Sequence, residues 1–507
     1  EDFWNNLSDE TVKGYLNNSK NLKSKVLINE LSNFLEVLNL DFSLKKNREI
    51  YFQIVNYFYD TGNISKAYNL IQLRNVQDDE NSDFYENLKI NYLLSTFQLE
   101  EVCNLKSELD PNIKLNNFLL EKIDIFCLVL ENNLSEAELL NSILIETETN
   151  TDQNFQNLFK ILIADDNELN KNWLDLNNEV NFDLIFLYSA IARIAELPLN
   201  ENFLQIDSKN LAIPIILNQS IPIDLRIKAA NESFNNKLIT VDSLAALYQS
   251  VDFNSSQLNN QTDTIEMFSD NIEMLMAYYF QLINIQIFPS ERIEALISFW
   301  DFSKDHDLEE IAYSLSYKIV QSIELSSSNI EYSPMIATSY IYNNDFDEAL
   351  KWIEFYENNN GIDEKSSYTR ILLNLYSANE IETVLDIINT NFDMISISNI
   401  RENEELVFTL LTILNDEVNK ELTIDFENIY DTRLMPSIFV IQNINQAIQS
   451  NNNSKFLIYS VISLNNKDWI EIHPEHLKLL LRGYSKYNDG DLIKDIVLEI
   501  FENYKIL

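Results

Sequence analysis

Glycine is nearly missing from this chain: five residues in 507, against roughly 7% in an average protein. Glycine supplies left-handed backbone, tight hairpin turns and the loops that cradle phosphates. Its scarcity argues against β-barrels, dinucleotide folds and nucleotide-binding P-loop proteins. Enzyme signatures are missing too, with no G-x-S-x-G, H-E-x-x-H, Walker A or G-x-G-x-x-G pattern. Positive charge is short: 36 Lys and Arg stand against 80 Asp and Glu, a formal net charge of −44. Such a surface repels phosphates and anionic headgroups. No nucleic-acid partner and no membrane insertion are therefore expected. Solubility is the plain reading of the acidity; a basic partner or weakly held divalent cations is the sharper one. No apolar run reaches the ~18 residues of a membrane-spanning helix. The nearest, 274–288, carries Gln281, Asn284 and Gln286 and reads as a buried core helix. The first residue is Glu1 rather than Met. An exported, processed protein, periplasmic or secreted, is the expectation, with a trimmed cytoplasmic chain as the alternative.

Apolar residues are plentiful at 46%, with 29 Phe and 24 Tyr, enough for a large core. They recur with helical spacing. Tyr51, Ile54, Val55 and Phe58 share one helix face; Gly62 follows in a turn; Ile64, Ala67, Tyr68 and Ile71 share the next face. The register is an apolar residue, a turn residue four on, and a small residue five beyond that. It returns at Leu94, Gln98 and Cys103, at Leu128, Asn132 and Ala137, at Tyr340, Asn344 and Ala349, and at Leu375, Asn379 and Val384. The turn residue ends a helix with positive φ, for which asparagine is the best substitute for glycine. The small residue lies where the two helices of a hairpin approach closely.

These hairpins resemble the tetratricopeptide family. The nearest matches are Ala337, Tyr340, Asn344, Asp345, Phe346 and Ala349 in TSYIYNNDFDEALKWIEF, and Val55, Phe58, Gly62 and Ala67 in IVNYFYDTGNISKAYNLI. Val55 departs from the family's small residue, Arg74 from its alanine, and most units lack the closing proline. The resemblance covers 44–145 and 300–395. It implies an all-α fold, an α-solenoid in which antiparallel helix hairpins form a right-handed superhelix with a concave groove for peptides or proteins. The expected organisation is repeats over 1–180, an irregular middle segment over 181–264, and further repeats with a cap over 265–507. Pro214 and Pro222 suggest an extended or broken connection across 211–225. The polar run 252–264 reads as a linker.

Two cysteines are present, Cys103 and Cys127. They fall on neighbouring helices, so either a disulfide or two buried thiols fits. The three histidines, His306, His473 and His476, offer no metal-ligand spacing, and the last two read as polar residues at a helix start. Acidic clusters at 78–80 and 165–166 read as solvated turns. Around Gly490 a calcium loop fails, because Ser485 and Tyr487 occupy ligand positions. The five tryptophans (Trp4, Trp173, Trp300, Trp352, Trp469) read as core. No catalytic residue, cofactor or metal is expected. The function that follows is a non-enzymatic scaffold holding a protein or peptide partner, with Tyr57, Tyr92 and Asn343 as candidate contacts. A helical hydrolase acting on cell-wall or glycan material, or a structural subunit of an envelope assembly, is the alternative.

Overall fold

The computed structural model describes residues 7–37, 40, 43–73, 80–109, 113–164, 181–199, 206–391, 394–395, 401–413, 431–487 and 490–504. Trp4, Arg74, Asp78, Asp79, Asp165, Asp166 and Trp173 lie outside these. The described residues are all-α, with 27 α-helices and no strand. In chain order the helices are α1 (Asp9–Ser19), α2 (Lys25–Glu36), α3 (Lys45–Asp60), α4 (Ile64–Gln72), α5 (Ser82–Ser95), α6 (Leu99–Glu108), α7 (Leu119–Leu130), α8 (Leu134–Thr147), α9 (Gln153–Ile163), α10 (Ile185–Ile194), α11 (Ala212–Leu217), α12 (Ile223–Asn235), α13 (Val241–Gln249), α14 (Ser255–Asn259), α15 (Gln261–Met267), α16 (Ile272–Ile285), α17 (Pro289–Asp305), α18 (Glu309–Val320), α19 (Ser333–Tyr342), α20 (Phe346–Asn360), α21 (Glu364–Ser377), α22 (Ile381–Thr390), α23 (Arg401–Leu411), α24 (Ile438–Gln449), α25 (Asn453–Leu464), α26 (Pro474–Tyr484) and α27 (Gly490–Asn503).

One backbone turn recurs eight times. The N–H of residue i+5 closes on the carbonyl of residue i at 2.8–3.0 Å: Asn63 on Phe58, Gln98 on Leu93, Asn133 on Leu128, Leu197 on Ala192, Leu238 on Ser233, Leu308 on Ser303, Asp345 on Tyr340 and Asn452 on Ala447. The residue just before each donor is left-handed: Gly62, Phe97, Asn132, Glu196, Lys237, Asp307, Asn344 and Asn451, with φ of 50–85°. This bond satisfies a carbonyl that the helix end would leave open. In six of the eight turns the next helix starts two residues after the left-handed one. Five residues after it stand Ala67, Val102, Ala137, Ala312 and Ala349, all within 1% of full burial.

The sequence register needs two corrections. The second turn pivots on Phe97 rather than Gln98, so Val102, not Cys103, takes the buried position. The first three left-handed residues then fall 35 apart each time. A bulky residue at positive φ is uncommon, and here the Arg193 guanidinium lies 3.8 Å from the Phe97 ring centroid and pins it. At Asn379 the left-handed turn does not form: Ala378 before it is extended (φ −62, ψ 141), although Val384 is buried as expected.

Contacts divide the chain into two compact units. The second unit spans Val55–Ile287 and Ser298–Leu315. In it α4 to α8 pack each on the next, and α10 packs on α5 and α9. Every residue of α10 from Ile185 to Ala192 is buried, as a helix apolar on all sides must be. The polar residues of the apolar helix α16 also have a place. Gln281 donates to the carbonyls of Tyr248 (2.9 Å), Gln249 (3.3 Å) and Val251 (2.8 Å), closing the end of α13. Two expectations fail in this unit. The run 252–264 is mostly helical, because Asn254 and Asn260 cap α14 and α15. Pro214 sits within the first turn of α11, where no helical N–H bond is lost, and Pro222 caps α12.

The first unit joins Glu1–Ile54 to Phe288–Ile297 and Ser316–Leu507. Within it α19 packs on α20 and α21, α21 on α22, and α22 on α23 and α27. Helices α1 and α2 pack on α25, and α2 also on α27. Glu499 of α27 fastens this contact. Its buried carboxylate accepts from Ser24 Oγ (2.5 Å), the Lys25 and Val26 N–H groups (2.5 and 3.3 Å) and Trp469 Nε1 (2.9 Å). The anion sits on the positive end of α2 and needs no cation. Around it, Tyr15 and Tyr459 share a 2.6 Å hydroxyl bond, and Lys23 pairs with Asp468 at 2.6 Å.

Gly483 of α26 is where α25 comes closest. A Cβ there would lie 2.1 Å from the Phe456 ring. Gly483→Ala is expected to lower stability by about 1–3 kcal/mol through overpacking. Phe456→Leu in the same chain is expected to restore part of that loss, read as a rise in the urea midpoint. Equal midpoints for wild type and Gly483→Ala would refute the contact.

Candidate functional site

The α4–α8 region holds most of the features the sequence singled out. Tyr92, on α5, is half-buried and lies flat on Tyr68 of α4, with ring centroids 3.9 Å apart and planes 12° from parallel. Tyr57 is different: it is 4% exposed and packs edge-on to Phe58, and burial pushes its hydroxyl up to about 12. It lines no open surface, because the face of α3 that carries it turns into the core. Asn343 ends α19; its Nδ2 donates to the Ser339 carbonyl at 2.9 Å just before the left-handed Asn344. Its amide is thus engaged in shaping the turn. Cys103 and Cys127 are joined as a disulfide, Cα atoms 5.9 Å apart, tying α6 to α7. Tyr68, the stacking partner of Tyr92, stood in the repeat spacing as a residue of the apolar face, with nothing in the sequence to mark it as a contact.

The clusters that could carry chemistry are internally committed. Lys122 is buried, and its Nζ reaches Asn117 O (2.8 Å), Glu148 Oε1 (2.7 Å) and Asp152 Oδ2 (3.1 Å). Tyr188 donates to the same Asp152 oxygen at 2.7 Å, while Asp152 Oδ1 caps α9 through the Phe155 N–H. Burial, with Asp152 beside it, raises the Tyr188 hydroxyl far above its usual range. Two carboxylates converge here, but the Lys122 amine lies between them, within reach of both and of a backbone carbonyl. A general acid–base pair needs a carboxyl that can take up and release a proton. The one sequence hint was that Lys122 is the only basic residue between Lys114 and Lys160.

A serine–histidine contact occurs in the first unit. His476 Nε2 lies 2.8 Å from Ser463 Oγ, with both residues buried. Ser463 Oγ also donates to the Ser460 carbonyl at 2.6 Å. Its proton is therefore used within the helix, and the imidazole must be the donor of the other bond. The histidine cannot act as base toward this hydroxyl, which removes the nucleophile logic. His473 behaves as read from sequence, with Nδ1 capping α26 through the Glu475 N–H, and Pro474 follows at the first helical position. His476 also lies in the first turn of α26, but its ring is buried in the core. His306 is exposed in a turn beside Phe302. Trp300, Trp352 and Trp469 are buried, as expected.

A cavity of about 350 Å³ opens on α24, lined by Phe439 and the amides Gln442, Asn443, Asn445, Gln446 and Gln449. Among the described residues, no titratable side chain lines it. Among the described residues, no three His, Cys, Asp or Glu side chains are placed to hold a metal ion, and no helix is long and apolar enough to cross a membrane.

Two measurements test these assignments. The disulfide closes a sequence separation of 24 residues, and opening it should cost about 3 kcal/mol by loop entropy. Reductant, or Cys103→Ser with Cys127→Ser, is expected to lower the thermal midpoint and speed amide exchange in α6 and α7; an unchanged midpoint would deny the bond a role. His476 supplies the second. Burial, then the charges of Lys467 and His473, draw its imidazole down to about 4. The unfolded chain takes up this proton near pH 6.5 and the folded chain does not, so stability falls as the pH drops from about 6.5 to about 4. The loss is about 3 kcal/mol and levels off below that window. His476→Gln, which keeps a donor for Ser463, is expected to flatten this part of the pH–stability curve. Parallel curves for the two proteins would refute it.

No protein-family model, no characterised protein and no solved structure matches the chain.

Proposed function

We propose that the chain is a non-enzymatic scaffold. In this reading its hairpins stack in the tetratricopeptide manner as a right-handed solenoid, and a groove along them holds a protein or peptide. The observation that carries the reading is the use made of reactive groups. Lys122 locks the converging carboxylates Glu148 and Asp152, and the Ser463 proton is spent on a carbonyl, while Tyr68 and Tyr92 stay part-exposed. Half-exposed tyrosines on a rigid helix pair are suited to anchoring a partner. Tyr92 is retained as a contact; Tyr57 is too deeply buried for that role, and Asn343 serves the turn.

The working compartment is proposed to be periplasmic or extracellular. The disulfide supports this, since oxidising surroundings keep such bonds closed and the cytosol keeps thiols reduced. The acidity of −44 supports a basic partner over nucleic acid.

Affinity capture from the native source, with the full chain as bait and mass spectrometry as readout, tests the proposal. One protein recovered near stoichiometry is expected, with roughly tenfold lower recovery for Tyr92→Ala. Turnover of a glycan by the purified chain, with no protein recovered, would overturn it in favour of the hydrolase.

A further inference from the structure

Helix α8 carries exposed apolar side chains that no described element covers. Its inner side is occupied: Ala137, Asn141 and Leu144 are buried, and α7 packs along the helix. Asn141 also exchanges two amide hydrogen bonds of 2.8 Å with Gln156 of α9. On the opposite side Leu139 is 61% exposed and Ile143, one turn on, is 49% exposed. Leu134 and Ile145 are exposed on the flank. Scattered exposed leucines are ordinary, but Leu139 and Ile143 stand one turn apart on the same outer strip of the helix, so the two form one apolar surface.

The charge around this patch has one sign. Between Lys114 and Lys160 the chain has eight carboxylates, and its one cation there, Lys122, is buried and paired. The exposed charges of α7 and α8 are thus all negative, with Glu136, Glu138 and Glu146 on α8 itself.

We propose that the outer face of α8 docks a cationic amphipathic helix of a partner protein. Apolar side chains of that helix meet Leu139 and Ile143, and its Lys or Arg residues meet Glu136, Glu138 and Glu146. The inference rests on the scaffold reading and gives the partner its chemistry. A second copy of the chain does not suit the face, because a two-fold contact would set these glutamates against themselves. An anionic bilayer is repelled by the same charges.

The probe is a synthetic leucine–lysine amphipathic peptide of about 18 residues, titrated against the full chain by fluorescence anisotropy. A peptide of the same composition, scrambled to lose its apolar face, separates docking from general attraction to an acidic protein. Saturable binding is expected, roughly tenfold tighter than for the scrambled peptide. Leu139→Ser with Ile143→Ser, and separately Glu136→Gln with Glu146→Gln, are each expected to weaken it by roughly tenfold, while Ile287→Ser, at an exposed apolar residue outside α8, leaves it unchanged. All five substituted side chains are exposed, and unchanged circular dichroism verifies folding. Equal affinity for both peptides, or affinity indifferent to both pairs, overturns the inference. Binding lost in Ile287→Ser but kept in both α8 pairs overturns it while leaving the scaffold standing; glycan turnover removes the scaffold reading itself.

Discussion

Turning a helical chain back on itself through one residue in the left-handed region is the constraint that shapes the architecture. Among the described residues this turn occurs eight times, six of them with the next helix two residues on, and with a single glycine. For an L-residue this conformation costs roughly 1–2 kcal/mol. Each turn offsets the cost with a bond that satisfies a helix-end carbonyl. In five of them a fully buried small residue follows in the next helix, letting the two helices close up. Where the turn residue is neither glycine nor asparagine, further support can be identified: Phe97 has the guanidinium of Arg193 above its ring.

Short supply of basic residues has a second consequence. Buried carboxylates cannot all find cations, so the fold supplies other positive ends. Glu499 is held by the start of a helix, a serine and an indole. Gln281 and the Asn141–Gln156 pair show the same economy with neutral amides, each placed so that its hydrogens meet oxygens within the core. Lys122, the one fully buried lysine among the described residues, serves two carboxylates and a carbonyl at once. These groups hold elements together within the core.

Much of the hairpin grammar was readable in the residues. Gly62, Asn132 and Asn344 announced their turns because glycine and asparagine take positive φ cheaply, and Ala67, Ala137 and Ala349 announced the contacts because a small side chain lets the two helices close up. The turns at Phe97, Glu196 and Lys237 gave no such signal; their conformation is imposed by the flanking helices and not by local preference. The polar stretch 252–264 misled for the opposite reason: asparagines that suggest a loop are also good helix caps, and here they start two short helices. Tyr57 and Tyr92 show the limit for the site. Both sit at helical spacing on successive hairpins, but whether such a ring faces core or solvent depends on helices distant in sequence. The burial of His476 and the role of Glu499 are long-range facts of the same kind.

The capping of α2 by Glu499 also sets an order of events during synthesis. A ribosome adding about 5–20 residues per second delivers the carboxylate tens of seconds after Ser24 has emerged. The stretch from Val55 to Ile287 can mature meanwhile, since nearly all of its own unit is by then available. Leu27 and Leu31, fully covered in the finished protein, stay bare throughout that delay. The apolar face of α2 therefore waits for its partner helix until the chain has extended past Glu499.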